Sequence, residues 1–177
     1  MGDNQTTWAI DPAHSTAGFV VRHLISKVRG QFQEFEGKII GNPEDLTNAR
    51  AEFIATMASV NTNQPDRDKH LRTSDFFDVE HYPTMSFRST RIERTKDTTY
   101  TVYGNLTIRG VSKEVPITVE YLGTGADPWG GTRAGFECTA RINRKDFGVN
   151  WNQVLEAGGM MVGDNVDIHL ELETVKQ

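Results

Sequence analysis

Apolar and polar residues alternate along most of this chain of 177 residues. In residues 134–143, for example, Phe136, Cys138 and Ala140 are separated by polar Glu137 and Thr139. A period of two is typical of β-strands with one buried face, and here it predicts antiparallel sheet. The pattern predicts about eight strands, at residues 17–23, 28–40, 51–57, 84–93, 99–109, 114–122, 134–143 and 166–173.

The predicted strands are linked by short turn-type segments, and no strand–helix–strand rhythm is present. A meander of this kind is favoured to close into a barrel, because closure removes the exposed edges of an open sheet. No internal repeat or low-complexity linker interrupts the chain. We therefore predict an all-β fold, with one antiparallel barrel domain over residues 4–175.

The face of one predicted strand changes partway along it. Gly30 and Phe32 are at even positions, whereas Phe35 and Gly37 are at odd positions. One face can hold both sets only if an extra residue is inserted, so we expect a β-bulge near residues 33–34.

Two segments depart from the alternation. Residues 65–73 begin with a proline and have mixed charges, which predicts a short surface helix that Asn63 could cap. Residues 145–163 are too glycine-rich for a strand and too apolar for a simple solvent loop, so we expect an irregular segment there. Phe76 and Phe77 are expected to close one end of the barrel.

The inward faces combine small residues with phenylalanine and methionine. An eight-stranded barrel has an interior that is either filled by side chains or holds one small ligand. Small residues on facing walls favour an apolar cavity for an elongated, lipid-like molecule, although interdigitation of large and small side chains remains an alternative. The residues predicted to line the cavity are Phe19, Val21, His23, Phe53, Ala55, Met57, Phe87, Leu106, Ile108, Phe136, Cys138, Ala140, Ile142, Phe147 and Trp151.

Composition excludes several classes of protein. Hydrophobic residues make up 37% of the chain and charged residues 24%, which fits a soluble globular protein. The net charge of −5 argues against a nucleic-acid partner, and one cysteine cannot form an intramolecular disulfide. The apolar runs are too short for a membrane-spanning helix. The first residues lack the features of a secretory signal, so we expect a cytoplasmic protein, or a periplasmic or secreted one if a leader has been removed.

The motifs of catalysis and metal binding are absent or weak. We find no nucleophile elbow, P-loop, H-E-x-x-H or C-x-x-C, and we predict no catalytic residue and no cofactor. Asp66, Asp68 and His70, or His70 with His81, have spacings that a metal site could use. The solvated face of a charged helix explains them better, so no metal site is predicted. Cys138 is interpreted as a small buried hydrophobe.

Polar residues near one barrel end allow two interpretations. His23 has the parity of Phe19 and Val21, so it is either a hydrogen-bonded buried histidine or a contact for the polar head of a ligand. Seven cations could surround a mouth of the barrel and attract a phosphate, or could equally be surface charges. They are Arg22, Lys27, Arg29, Arg109, Lys113, Arg144 and Lys145.

Longer motifs occur in a fixed order through nearly the whole chain, at residues 8–15, 19–24, 28–32, 68–83, 104–111, 143–148 and 162–164. They include Trp8-Ala9-Ile10-Asp11-Pro12, Asp75-Phe76-Phe77 and Asp146-Phe147-Gly148. In these motifs the chain resembles the YceI family.

The resemblance implies a lipocalin-like barrel with an elongated apolar pore for a polyisoprenoid, such as a polyprenyl diphosphate or an isoprenoid quinone, and a homodimer. It supplies no catalytic residues. The leading hypothesis is therefore non-enzymatic binding, transport or storage of such a lipid. The alternatives are an enzyme that uses His23 and a nearby carboxylate on a bound amphiphile, and a scaffold that recognises a protein or carbohydrate through its outer surface.

Overall fold

The computed structural model describes residues 6–177, so residues 4 and 5 of the predicted domain lie outside the described part. The strands are β1 (Thr7–Ile10), β2 (Thr16–His23), β3 (Ser26–Phe32), β4 (Phe35–Asn42), β5 (Asp45–Thr56), β6 (Val60–Asn61), β7 (Thr84–Arg94), β8 (Thr99–Ile108), β9 (Val111–Ala126), β10 (Thr132–Asn143) and β11 (Val162–Lys176). The helix α1 is Pro65–Arg72, and short 3-10 turns occupy Pro12–His14, Met57–Ser59 and Arg144–Phe147.

The strands form a closed antiparallel barrel. Strand β1 closes it by pairing with β4 on one side and β11 on the other. Strands β1 and β2 follow one another along β11, β3 continues into β4, and β5 and β6 follow one another along the continuous β3–β4 strand. The eleven strands therefore occupy eight strand positions around the barrel. The prediction of an eight-stranded barrel with one short helix is confirmed. The alternation did not reveal β1 and β6, because four and two residues are too short to show a period.

The predicted change of face between Phe32 and Phe35 is present. Phe32 pairs with Val60 and Phe35 with Ala55, and both phenylalanines are buried. The interruption is larger than a single-residue bulge, because residues 33–34 oppose the 3-10 turn Met57–Ser59 and the end of β5.

Helix α1 begins where the proline predicted, but its cap is Gln64 and not Asn63. The side chain of Gln64 accepts a hydrogen bond from the backbone N–H of Asp66. Asn63 has a left-handed backbone (φ 63°), whereas an N-cap residue needs an extended one. No helix in residues 6–177 has the length and hydropathy needed to cross a bilayer.

The barrel has two distinct ends. At the helix end, β2, β5, β8 and β10 finish, and α1 and the irregular segment 148–161 lie there. At the far end, tight turns join β4 to β5, β7 to β8 and β9 to β10. Strand β9 extends to Ala126, beyond the predicted end at residue 122, because Gly123 and Gly125 continue the ladder with β10.

Candidate functional site: an apolar cavity at one barrel end

A cavity of about 490 Å³ opens inside the helix end of the barrel. Phe19 and Val21 on β2 and Ile168 and Leu170 on β11 line it. Each of these four side chains is only half-buried, although it points inward. Their remaining exposure is to the cavity, which means that the interior at this end is not filled by side chains. Apolar walls of this kind favour an apolar occupant.

The cavity brings together the predicted lining residues except Ala55, Phe136 and Cys138. Phe136 and Cys138 instead line a separate cavity of about 70 Å³ toward the far end. Ala55 is buried but lines neither of the two cavities. Burial raises the pKa of the Cys138 thiol to about 12, so the sulfur is protonated at neutral pH.

Two phenylalanines stand between the large and the small cavity. Phe53 on β5 and Phe87 on β7 are directly opposed in the ladder and line both cavities. The ring of Phe87 lies against the backbone of Gly104, where a Cβ atom would approach Cζ to 2.3 Å. Glycine at position 104 therefore allows Phe87 to project inward as a partition.

An aromatic cluster lies at the helix end. The ring of Trp151 is 4.9 Å from that of His70 and 5.3 Å from that of Phe76, measured between centroids. Both Phe76 and Phe77 line the cavity at this end, the position expected for them. His70 also accepts or donates a hydrogen bond at 2.8 Å to Asp75.

The sequence did not predict the polar rim that α1 and its approach supply, namely Thr62, Gln64, Asp66, Arg67 and His70. Nothing in their spacing shows that they reach a cavity, because the position of α1 depends on tertiary contacts. Val166, Ile168 and Leu170 were also missed as lining residues, although their parity on β11 would have found them.

Arg144, for which the sequence allowed either a mouth or a surface role, lines the cavity but is buried. It is 5% exposed, and its guanidinium donates hydrogen bonds to the carbonyl oxygens of Val149, Trp151 and Gly163 at 2.8–2.9 Å. Burial lowers its pKa, and backbone carbonyls rather than a carboxylate satisfy its donors. Arg144 therefore ties the irregular segment to the barrel.

Several other cations for which the sequence allowed a mouth or a surface role also have partners. Arg109 donates to the carbonyl oxygens of Ser74 and Phe76. Lys113 forms an ion pair with Asp146, and Lys145 forms one with Asp164. Within residues 6–177, the exposed side chains of Lys27 and Arg29 form no ion pair. A free positive charge therefore remains on the β2–β3 hairpin.

His23 lines the cavity and is half-buried. In the described part of the chain it forms no ion pair with a carboxylate, so the acid–base pair of the enzyme hypothesis is not assembled around it. Two of the residues considered for metal binding have their own partners. His81 is bound to Asp78, and buried Asp68 accepts hydrogen bonds from Thr62.

One group of possible metal ligands consists of Asp11, His14 and Glu173. The guanidinium of Arg133 donates to Asp11 at 2.8 Å and to Glu173 at 2.7 Å. A cationic side chain already neutralises these carboxylates. The group is therefore explained as an ion-pair network.

A closed antiparallel barrel with an apolar cavity that opens at one end is typical of β-barrel proteins that bind a small ligand inside the barrel. The model of the YceI-like domain matches residues 8–174, and the chain belongs to this family.

Relatives and solved structures agree with this assignment. A UPF0312 protein of Vibrio cholerae is 36% identical, over 98% of this chain and 89% of its own length. One of Staphylococcus epidermidis is also 36% identical, over 95% of this chain and 96% of its own. The YCEI protein of Campylobacter jejuni is similar in structure, with a TM-score of 0.75 and 29% identity, covering 88% of this chain and 90% of that one.

Two more distant structures share the fold. Burkholderia cenocepacia BcnA has a TM-score of 0.82 at 24% identity, covering 93% of this chain and 98% of its own. A polyisoprenoid binding domain from Saccharophagus degradans, described as implicated in plant cell wall breakdown, has a TM-score of 0.67 at 16% identity, covering 94% and 97%.

Proposed function

We propose that this protein binds a polyisoprenoid or a similar long-chain amphiphile, with the tail inside the barrel and the head at the helix end. The single observation behind the proposal is the cavity of about 490 Å³, whose walls are mainly apolar strand residues. Its charged and histidine lining residues, including His23 and Arg144, lie at the helix end. Its volume is within the range of about 300–1,000 Å³ that is usual for small-molecule sites.

Burial of a hydrocarbon tail supplies the binding free energy in this proposal. Each CH₂ group removed from water contributes about 0.8 kcal/mol, so a chain of several isoprene units binds without a strong polar contact. Either a polyprenyl diphosphate or an isoprenoid quinone has such a tail. The fold shared with the polyisoprenoid binding domain of S. degradans supports this ligand class.

We infer binding, transport or storage rather than catalysis. His23 has no carboxylate partner in residues 6–177, and the thiol of Cys138 is protonated and lies outside the large cavity. Incubation of the protein with a prenyl diphosphate should leave the lipid unchanged by mass spectrometry. Turnover that Ala replacement of His23 abolishes would contradict this inference. The homodimer and the compartment remain predictions from the sequence.

The direct test is solvent extraction of natively purified protein, followed by mass spectrometry of the extract. We expect a prenyl lipid to co-purify. Ala140 lines the cavity, so Ala140→Trp should fill it and reduce uptake of a prenyl probe at least ten-fold.

The matched control is Thr139→Trp, one residue away on the exposed side of β10. It should bind the probe as the wild type does. Equal uptake by both variants, each with a native circular dichroism spectrum, would show that the tail does not occupy this cavity. Ala55→Trp would be a poorer test, because Ala55 lines neither cavity.

A further inference from the structure

Exposed apolar side chains gather at the helix end of the barrel. Ile25 is fully exposed, and Leu24, Val154 and Met160 are 40%, 70% and 43% exposed. They are neighbours in space, because the N–H of Leu24 donates to the carbonyl of Met161 at 2.7 Å and Val154 forms a β-bridge with Met160. We call Leu24, Ile25, Val154 and Met160 the apolar tip.

The turn within this tip has an unusual sequence. Leu24 and Ile25 form the two-residue loop between β2 and β3, and Leu24 has a φ of 58°. Such loops favour glycine, asparagine or aspartate, because a branched or bulky side chain is strained at positive φ. Turn stability does not explain the two large aliphatic residues there, and packing does not explain Ile25, which buries nothing within the chain.

The hairpin behind the tip is positively charged. Arg22, Lys27 and Arg29 are exposed on it, and no acidic residue occurs between residues 12 and 33. The protein as a whole has a net charge of −5, so this positive region is local. Lys27 is two residues from Ile25, or about 7 Å along an extended strand.

The pKa of Asp167 is lowered first by its hydrogen bonds with Arg141 and, to a smaller extent, by the charge of Lys27. Its two carboxylate oxygens accept hydrogen bonds from Arg141 at 2.7 and 3.3 Å. The charge of Asp167 is therefore neutralised by Arg141, and the hairpin keeps its positive potential.

The apolar tip borders the cavity. His23 and Val28 line the cavity from the hairpin, and Met161 lines it from the irregular segment. Each is within three residues of a member of the tip in sequence. A hydrocarbon tail that leaves the cavity on this side passes the tip first.

We propose that the apolar tip docks on a bilayer surface that contains anionic lipids, with Ile25 among the acyl chains and Lys27 and Arg29 at the level of the phosphates. Along the strand, Lys27 is about 7 Å and Arg29 about 13 Å behind Ile25. The apolar tip can therefore enter the acyl boundary while these cations lie near the headgroups. The docked orientation turns the cavity rim toward the bilayer. The exchange of a tail between the bilayer and the cavity rests on the proposed function, whereas the docking itself does not.

The test is co-sedimentation of the full chain with vesicles of equal parts phosphatidylglycerol and phosphatidylcholine, and with vesicles of phosphatidylcholine alone. We expect binding to the anionic vesicles that weakens as salt is raised. Ile25→Glu should reduce this binding about ten-fold or more. The double variant Lys27→Glu, Arg29→Glu should remove the preference for anionic vesicles.

The matched control is Leu122→Glu, which replaces a leucine that is 59% exposed near the far end. It should bind vesicles as the wild type does. Val154→Glu provides a second change at the tip, in case Ile25→Glu fails to fold. Absence of wild-type binding, or equal binding by the tip variants and the control, would overturn the proposal. So would dimerisation of the wild type that Ile25→Glu abolishes, because the tip would then be a contact between copies.

A second measurement separates this proposal from the proposed function. Uptake of a prenyl probe from detergent micelles does not require a bilayer, so Ile25→Glu should bind it normally while transfer from vesicles becomes at least ten-fold slower. Vesicle binding without any probe uptake would leave the docking surface in place and refute lipid binding in the cavity. Probe uptake without vesicle binding would support lipid binding in the cavity and refute the docking surface.

Discussion

At the scale of single residues, Phe87 is one of the side chains that limit how far the large cavity extends. Its ring separates this cavity from the smaller one and is supported by the backbone of Gly104. Phe87→Ala should join the two cavities, at a cost of about 3 kcal/mol in the free energy of unfolding. We expect affinity to shift toward longer prenyl chains, measured with probes that differ by single isoprene units.

Phe35→Ala is the control for this change. Phe35 is buried and stacks on Phe53 with ring centroids 5.7 Å apart, but it lines neither cavity. The variant should lose a comparable amount of stability while its chain-length preference stays that of the wild type. An identical preference in both variants would show that Phe87 does not limit the tail.

At the scale of elements, Arg144 is one of the side chains that hold the irregular segment 148–161, together with Arg22 and Asn152. Arg144 binds the carbonyl oxygens of Val149, Trp151 and Gly163, and its replacement leaves buried carbonyl groups without partners. Arg144→Gln should therefore reduce the free energy of unfolding by about 2–3 kcal/mol. Amide hydrogen exchange should become faster in this segment than in the rest of the barrel.

Lys145→Gln provides the comparison, because Lys145 is the next residue and its ion pair with Asp164 is exposed. An exposed pair contributes at most about 1 kcal/mol. If the two variants were equally stable, Arg144 would not be what holds the segment in place.

The closure of the barrel, at the scale of the whole molecule, is reinforced by charges at the far end. Arg133 on β10 donates to Asp11 beyond β1, to Asp127 in the β9–β10 turn and to Glu173 on β11. The guanidinium of Arg133 and then His14 hold the pKa of Asp11 at about 2, below its ordinary value of 3.8. Strands distant in sequence are thus joined by one cation.

This network predicts a dependence of stability on pH. Because the pKa of Asp11 is lower in the folded state, its stabilising effect is complete above about pH 4 and is lost as the pH falls toward 2. Asp11→Asn should lower the Tm at pH 6 by about 2–4 °C. The difference from the wild type should shrink between pH 4 and pH 2 in thermal unfolding followed by circular dichroism.

Asp167→Asn is the corresponding change in an exposed pair, that of Asp167 with Arg141. Its effect on the Tm should be smaller, because solvent screens the interaction. A Tm difference for Asp11→Asn that stays constant from pH 6 to pH 2 would contradict the proposed role of the Asp11 carboxylate.

The sequence alone determined the longer strands and their inward faces, because alternation is a local property that side-chain burial imposes on a strand of sufficient length. It therefore predicted the barrel and assigned Phe19, Met57 and Ala140 to inward faces, and these three residues line the large cavity. The break at residues 33–34 was equally visible, since the change of parity needs no knowledge of the partner strand.

Only the tertiary structure decided which inward residues surround the large cavity. Ala140 and Cys138 have the same parity on β10, yet one lines the large cavity and the other the small one. The side chains that line both cavities come from other strands and are Phe53, Phe87, Ile117 and Leu170. The sequence likewise did not reveal the hydrogen-bond partners of Arg144. Residues 144 and 163 come together only because of the way the chain between them folds. Contacts of this kind depend on how distant segments meet in space, which no local pattern records.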